Sequence, residues 1–279
     1  MKRAVVLQTD FGEGSVSVST MKGVCRIVDP TLEVFDSTHS VRQFDVLKAS
    51  DALFYVIPFW PAGTVFVSVV DPGVGTSRKS CVALLENGSY IVTPDNGTLT
   101  YMKDRLGIKQ VREIDESVNR YPTTRDVHIF HGRDVYAYTA ARLASGVIDY
   151  EGVGPEYPVG QIVEAPYVKP EKRNGEVYGM IADSSRHFGL VTTNIPFLWL
   201  SECGMEYGDR VEIRMEHAGQ CVLEEVVPIA KSFGFVPEGS DLMYNSETSM
   251  IEVATNRRNM VVERSLGDGA DWTLRVRKV

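Results

Sequence analysis

The chain has 279 residues, 43% of them hydrophobic and 24% charged, which is the balance of a globular protein long enough for one large domain or two ordinary ones. Its formal charge of −8 at pH 7 argues against a nucleic-acid binder, which needs a basic face to meet phosphates. Four scattered cysteines (Cys25, Cys81, Cys203, Cys221) without a C-x-x-C pair fit reduced thiols better than a disulfide framework or a zinc site.

In chain order, residues 4–7 form a short apolar run behind Met1-Lys2-Arg3. The run stops at Gln8-Thr9-Asp10, too soon for a signal peptide, and reads as a first strand. No stretch approaches the roughly 20 apolar residues of a membrane span, so a cytoplasmic protein is expected. Residues 32–35 and the β-branched run 64–70 read as further strands, with helix-like spacing over 46–55. Each strand ends at polar residues, which suggests a mainly parallel sheet with functional groups along its carboxyl edge. Residues 81–85 and 90–92 flank Asn87-Gly88, a hairpin signal, and 135–144 reads as an Ala-rich amphipathic helix stopped at Gly146. The proline-bearing stretch 161–174 reads as a linker. Beyond it, strand-like segments at 176–182, 190–194, 210–215, 221–227, 250–254 and 272–277 predict a small all-β barrel. The expected architecture is therefore an α/β domain over 1–160 and a β-barrel-like domain over 175–279.

Three loops carry residues suited to chemistry. Asp10, at the tip of the first strand, is either a helix N-cap or an acceptor for the two hydroxyls of a ribose. The segment Asp71-Pro72-Gly73-Val74-Gly75-Thr76-Ser77-Arg78-Lys79-Ser80 nearly spells a phosphate-binding loop, but Arg78 stands where the second glycine belongs and would block phosphate approach. What remains is an acid and an arginine in one glycine-rich loop, either a salt-bridged turn or half of a site. Phe130-His131-Gly132-Arg133-Asp134 brings a histidine to a helix start, as a proton carrier or as a packed core residue. The dispersed histidines form no metal-ligand pattern. Pro94-Asp95-Asn96-Gly97 by itself reads as a turn.

Taken together, Thr-Asp-Phe-Gly at 9–12, Met-Lys-Gly at 21–23, Asp-Pro-Gly-Val-Gly at 71–75 with Arg78, Pro-Asp-Asn-Gly at 94–97, Phe-His-Gly-Arg-Asp at 130–134, Thr-Asn-Ile at 193–195 and Asn-Ser at 245–246 resemble the S-adenosyl-L-methionine hydroxide adenosyltransferases, relatives of fluorinase and chlorinase. The resemblance covers nearly the whole chain. It implies hydrolysis of S-adenosyl-L-methionine to adenosine and methionine, with no cofactor or metal, by a water-activating trio carried here by Asp71, Arg78 and His131. It also implies substrate contacts from Asp10 (ribose), Phe44, Asn96, Gly132, Phe188, Ser246 (methionine carboxylate) and Asn256 (adenine). It implies a homotrimer with active sites shared between neighbouring subunits. Gly132 stands where fluorinase carries a halide-binding serine, and the trio is absent from the halogenases. The chain departs from the family pattern at Ser15, where many relatives have an acid, and over Ser185-Arg186-His187-Phe188-Gly189-Leu190, where a carboxylate and an asparagine are replaced. Those departures keep two other readings in play. One is a halide-dependent or altered adenosyl transfer; the other is a non-catalytic adenosine or nucleoside-binding protein.

Overall fold

In the computed structural model, which describes residues 3–279, the first apolar run forms strand β1 (Val5–Thr9), buried along its whole length. It is followed by α1 (Val16–Val28), β2 (Val34–Thr38), α2 (Val46–Val56), β3 (Val65–Val69), β4 (Ser80–Leu85), β5 (Tyr90–Pro94), β6 (Ile108–Glu113) and α3 (Tyr138–Ser145). The six strands form one sheet in the order β2-β1-β3-β5-β4-β6. The pairs β1–β2, β1–β3 and β3–β5 are parallel, whereas β4 runs antiparallel to both β5 and β6. The hairpin expected around Asn87-Gly88 is the β4–β5 connection, with Gly88 at φ +85°.

Parallel strands at the centre of a sheet are covered on both faces, which is why β1 and β3 read as unbroken apolar runs. One face packs Val5, Leu7, Val65 and Val67 against Val18, Met21 and Cys25 of α1 and the small Ala140, Ala141 and Ala144 of α3. Complete burial of each Leu or Val contributes about 1.5–3 kcal/mol. On the other face Ala49 of α2 approaches the sheet, and the fully buried Gln8 amide donates to the Ala49 carbonyl at 2.9 Å and bonds Ser68 Oγ at 3.0 Å. α1 begins at Ser15, whose hydroxyl accepts from the Ser17 N–H. The helix expected over 135–144 begins earlier, as a wide π-type turn at Gly132–Ala137 that continues into α3, and it ends as expected with Gly146 in the left-handed conformation. Wide turns of this kind displace side chains from the ordinary helical register and recur at functional sites.

The chain divides into two compact units, one ending at Ala165 and one spanning Pro166–Val279. The second unit contains β7 (Glu171–Arg173), β8 (Glu176–Ser185), β9 (Leu190–Pro196), the short α4 (Leu198–Glu202), β10 (Arg210–His217), β11 (Gln220–Pro228), β12 (Asp241–Asn245), β13 (Met250–Thr255), α5 (Met260–Glu263) and β14 (Trp272–Lys278). Its sheet is antiparallel throughout, in the order β11-β10-β14-β8-β9-β13-β12, with β7 beside β8. The bridge between Ile229 and Met243 draws the two ends of that order together, so the sheet is nearly closed and barrel-shaped around Val177, Ile213, Met215, Val253 and Leu274. Among the described residues no helix is long and apolar enough to cross a membrane.

Candidate active site

Three chain segments converge at the carboxyl edge of the first sheet. β1 delivers Thr9 and Asp10, β3 delivers Val69 and then Asp71, and the start of the wide turn delivers His131 and Gly132. Between Asp71 and Arg78 the loop passes so close to residue 128 that a Cβ on Gly75 would lie 2.9 Å from the His128 carbonyl oxygen, at φ +76°. Glycine is required there by both space and backbone conformation. The three segments enclose a cavity of about 340 Å³ whose wall includes Asp10, Phe11, Ser15, Phe44, Asp71 and His131, together with Gly132.

Asp71 and Arg78 form a two-pronged pair: Arg78 Nε donates to Asp71 Oδ1 at 2.9 Å and Nη2 donates to Oδ2. Tyr136 Oη donates to the same Oδ2 at 3.2 Å. A carboxylate offers about four acceptor positions. Three are taken, which leaves one for a molecule in the cavity. Arg78 also donates from Nη1 to Ser80 Oγ at 3.0 Å, and its Nη2 lies 3.1 Å from His131 Nδ1. Burial alone would lower the Arg78 pKa, but the bonds to Asp71 outweigh it and raise it, so the guanidinium is permanently charged. Burial raises the Tyr136 phenol well above its ordinary value, and the Asp71 charge adds to this. The open reading of Asp71 and Arg78 as a plain salt-bridged turn therefore gives way to a three-residue cluster: the trio expected from the sequence is brought together.

His131 is 5% exposed. Burial lowers its pKa below the ordinary 6.5; Glu116 opposes this, while Arg78 and Arg120 reinforce it. The neutral ring is thus the form present at pH 7. Because the folded value lies below the unfolded one, the stability tied to neutral His131 is fully present above about pH 6.5 and is lost as pH falls through the folded value.

Asp10 is not a helix cap; Ser15 takes that role for α1. Instead, Asp10 Oδ2 accepts from the Phe44 N–H at 2.9 Å, and Oδ1 has no hydrogen bond among the described residues. Phe44 holds that N–H in place with φ +66°, an unusual conformation for a residue other than glycine, and the residue is 60% exposed at the cavity wall. Gly132 packs closely as well: a Cβ there would meet Val69 and Phe130 at 3.3 Å.

The remaining expected residues lie on other segments of the chain. Asn96 does not line the cavity; its amide donates to the Val70 carbonyl at 2.8 Å and its Oδ1 accepts from the Thr98 hydroxyl at 2.9 Å. Phe188 is exposed in the β8–β9 turn. Ser246 is buried in the β12–β13 turn, where its hydroxyl accepts from the Thr248 and Met250 N–H groups. Asn256 donates to the Val236 carbonyl at 2.9 Å and lines an open concavity of the second unit with Phe233, Val236 and Arg257. Four residues of the cluster were not singled out from sequence: Ser80, Glu116, Arg120 and Tyr136. Glu116 and Arg120 pair at i,i+4, but on an irregular segment that spacing is no signal in the sequence.

At the α/β sheet edge a carboxylate and a histidine line the cavity with an arginine between them, and among the described residues no group of three or more His, Cys, Asp or Glu is placed to hold a metal ion. Family models for the SAM hydroxide adenosyltransferase N-terminal and C-terminal domains match residues 5–154 and 181–273. The chain belongs to that family. It is 34% identical to the (R)-S-adenosyl-L-methionine hydrolase of Thermus thermophilus over 91% of this chain and 92% of the relative, and 37% identical to the enzyme of that name from Methanocaldococcus jannaschii over 76% and 73%. The crystal structure of an uncharacterized conserved protein from Thermotoga maritima matches with a TM-score of 0.88 at 34% identity, covering 98% of this chain and all of that one.

Proposed function

We propose that this protein hydrolyses S-adenosyl-L-methionine to adenosine and L-methionine. The observation that carries the reading is the Asp71–Arg78–His131 cluster, whose Asp71 and His131 line the cavity that also holds Asp10. Water attacks the ribose 5′ carbon in line with sulfur. The new C5′–O bond forms as the C5′–S bond breaks, the bond pair goes to sulfur, and the sulfonium becomes a neutral thioether. The water proton leaves through the cluster. A sulfonium departs without help from an acid, so the protein's task is to hold and polarise the water. The one remaining acceptor position of Asp71 and the neutral His131 ring serve that end, with Arg78 fixing both. Asp10 takes the ribose hydroxyls through its free Oδ1, Phe44 and Gly132 shape the wall, and Asn96 acts through the Val70 carbonyl it holds. Phe188, Ser246 and Asn256 are assigned to the methionine and adenine ends of the substrate. A cytoplasmic homotrimer completes the proposal. The exposure of the large apolar Phe44 and Ile129 supports the oligomer, and light scattering of the purified protein tests it.

The test is chromatography of products after incubation with each sulfonium epimer, with and without chloride. Equal amounts of adenosine and methionine from the (R) epimer, independent of chloride, are expected. A chlorinated nucleoside, or no product after long incubation, would overturn the assignment. Two further outcomes follow. Asp10→Ala removes the ribose acceptor and is expected to raise KM about tenfold or more while leaving kcat within a few-fold, since a charged hydrogen bond is worth about 1.5–3 kcal/mol. A KM unchanged in initial-rate assays would remove Asp10 from the ribose. The kcat/KM profile is expected to fall on the acid side with a midpoint below 6.5, because protonation of His131 is what that limb reports. A limb centred above 7 would show that another group controls it.

A further inference from the structure

Behind the cavity wall, the cluster continues into two residues that line no part of it. Arg120, 9% exposed at its side chain, donates from Nη1 to Glu116 Oε2 at 2.6 Å and from Nη2 to the Val127 carbonyl. Thus clamped, its Nη1 stands 3.5 Å from His131 Nε2. Glu116 Oε1 accepts from Ser80 Oγ at 3.3 Å and lies 3.9 Å from His131 Nδ1. Since Ser80 Oγ also accepts from Arg78, contacts run in a closed circuit: Arg78, Ser80, Glu116, Arg120, His131 and back to Arg78. We infer that Arg120, with Glu116 as its counter-charge, is a positioning residue that keeps the His131 ring neutral and fixed for the reaction.

The physical reason lies in the donors and in the charge count. A protonated imidazole carries N–H groups on both nitrogens. Here a guanidinium faces each nitrogen, Arg78 at Nδ1 and Arg120 at Nε2, so the imidazolium would set donor against donor on both sides. The charged groups that face the ring are Arg78 and Asp71 from the β3–β4 loop and Glu116 and Arg120 from the segment after β6, while Tyr136 packs edge-on from the wide turn. Two cations and two anions cancel while the ring is neutral, and its protonation would leave one uncompensated positive charge in a poorly solvated place. Arg120 therefore does not touch the reacting atoms. It sets the state of the residue that does.

This assignment rests on the proposed hydrolysis for its kinetic arm only. Opposed substitutions distinguish it from a general structural role. Arg120→Met leaves the cluster net negative, and the His131 midpoint is expected to rise by about one pH unit, a tenfold change in the ratio of neutral to charged ring. Glu116→Gln leaves it net positive, and the midpoint is expected to fall by a similar amount. The double variant restores neutrality and is expected to return near the parent. The readout is titration of the histidine ring signals by NMR in the full-length protein without substrate, with His131 assigned by the signal lost in His131→Gln. In parallel, the acid limb of kcat/KM should follow the ring, with KM changed less than kcat. Arg120→Lys should restore the midpoint more fully than it restores kcat. Single variants shifting the midpoint in the same direction, or not at all, would overturn the inference. If Arg120→Met does not give a cooperative melt, Glu116→Gln and the double variant carry the test. Ring shifts as expected in a protein that releases no adenosine would uphold the electrostatic role of Arg120 and reject the hydrolase reading.

Discussion

Asp71→Asn is expected to lower kcat for adenosine release about a thousandfold, within the 10²–10⁴-fold range of a positioned proton-handling group. The substitution preserves shape and removes charge. Three donors now converge on Asp71: Arg78 Nε, Arg78 Nη2 and Tyr136 Oη. An asparagine has one oxygen to offer them. Its amide group would turn two N–H bonds toward a guanidinium that cannot release a proton, so the fork loses one of its two bonds whichever way the amide turns, and the tyrosine bond is lost as well when the nitrogen replaces Oδ2. Water in the cavity would then meet a weaker acceptor, and the Arg78 Nη2 that steadies His131 would lose its anchor. KM is expected to change much less, because Asp10 and the wall around Phe44 lie outside this set of bonds. Single-turnover assays would read the chemical step directly. More than a tenth of the parent rate remaining in Asp71→Asn would show that the water is activated elsewhere.

What sequence could reveal here depended on the physical environment of each residue. β1 and β3 were readable because central parallel strands bury both faces, and their polar ends marked the edge where Asp10 and Asp71 stand. α1 was missed. Its start, Ser15-Val16-Ser17-Val18-Ser19-Thr20, alternates like a strand, which masks the helical face that Val18, Met21, Val24 and Cys25 bury. β6 and β12 were missed too, the first being only partly buried over most of its length. Asp71, Arg78 and His131 stood out because glycines surround them. Glu116, Arg120 and Tyr136 did not: the first two sit on an irregular segment where i,i+4 spacing has no fixed meaning, and Tyr136 looks like any core aromatic. Their contacts arise from tertiary folding, across 36 residues between Ser80 and Glu116 and 65 between Asp71 and Tyr136. The early start of the helical stretch leading into α3 likewise could not be read from periodicity, since a wide turn breaks the period that would announce it.

The segment that carries Glu116 is held in place by a glycine remote from the cavity, and Gly154→Ala is expected to cost about 4 kcal/mol. Gly154 has φ +146° and ψ −165°, a region open in practice to glycine alone. A Cβ there would stand 2.3 Å from the Glu113 carbonyl oxygen and 2.8 Å from the Asp115 N–H nitrogen, both backbone atoms that cannot swing aside. Relief requires separating the chain around Gly154 from the end of β6, where Glu113 N–H donates to the Pro155 carbonyl and Asp115 N–H to the Val153 carbonyl, each at 2.9 Å. The Arg112 guanidinium, which donates to the Gly154 carbonyl at 2.8 Å, would lose its register as well. Backbone strain of about 1–3 kcal/mol and two or three hydrogen bonds at about 1 kcal/mol each reach the stated figure. For a unit of this size, calorimetry should show the first unit melting about 10 °C lower. The effect should extend to catalysis in a particular way. Asp115 immediately precedes Glu116, so loosening this backbone frees the carboxylate that clamps Arg120, and at 25 °C the acid limb of kcat/KM should move as it does in Glu116→Gln while KM holds. A melting temperature within 2 °C of the parent would mean that the chain relaxes around the new methyl group without giving up these bonds, and the 113–116 backbone would then not be what fixes Arg120 against His131.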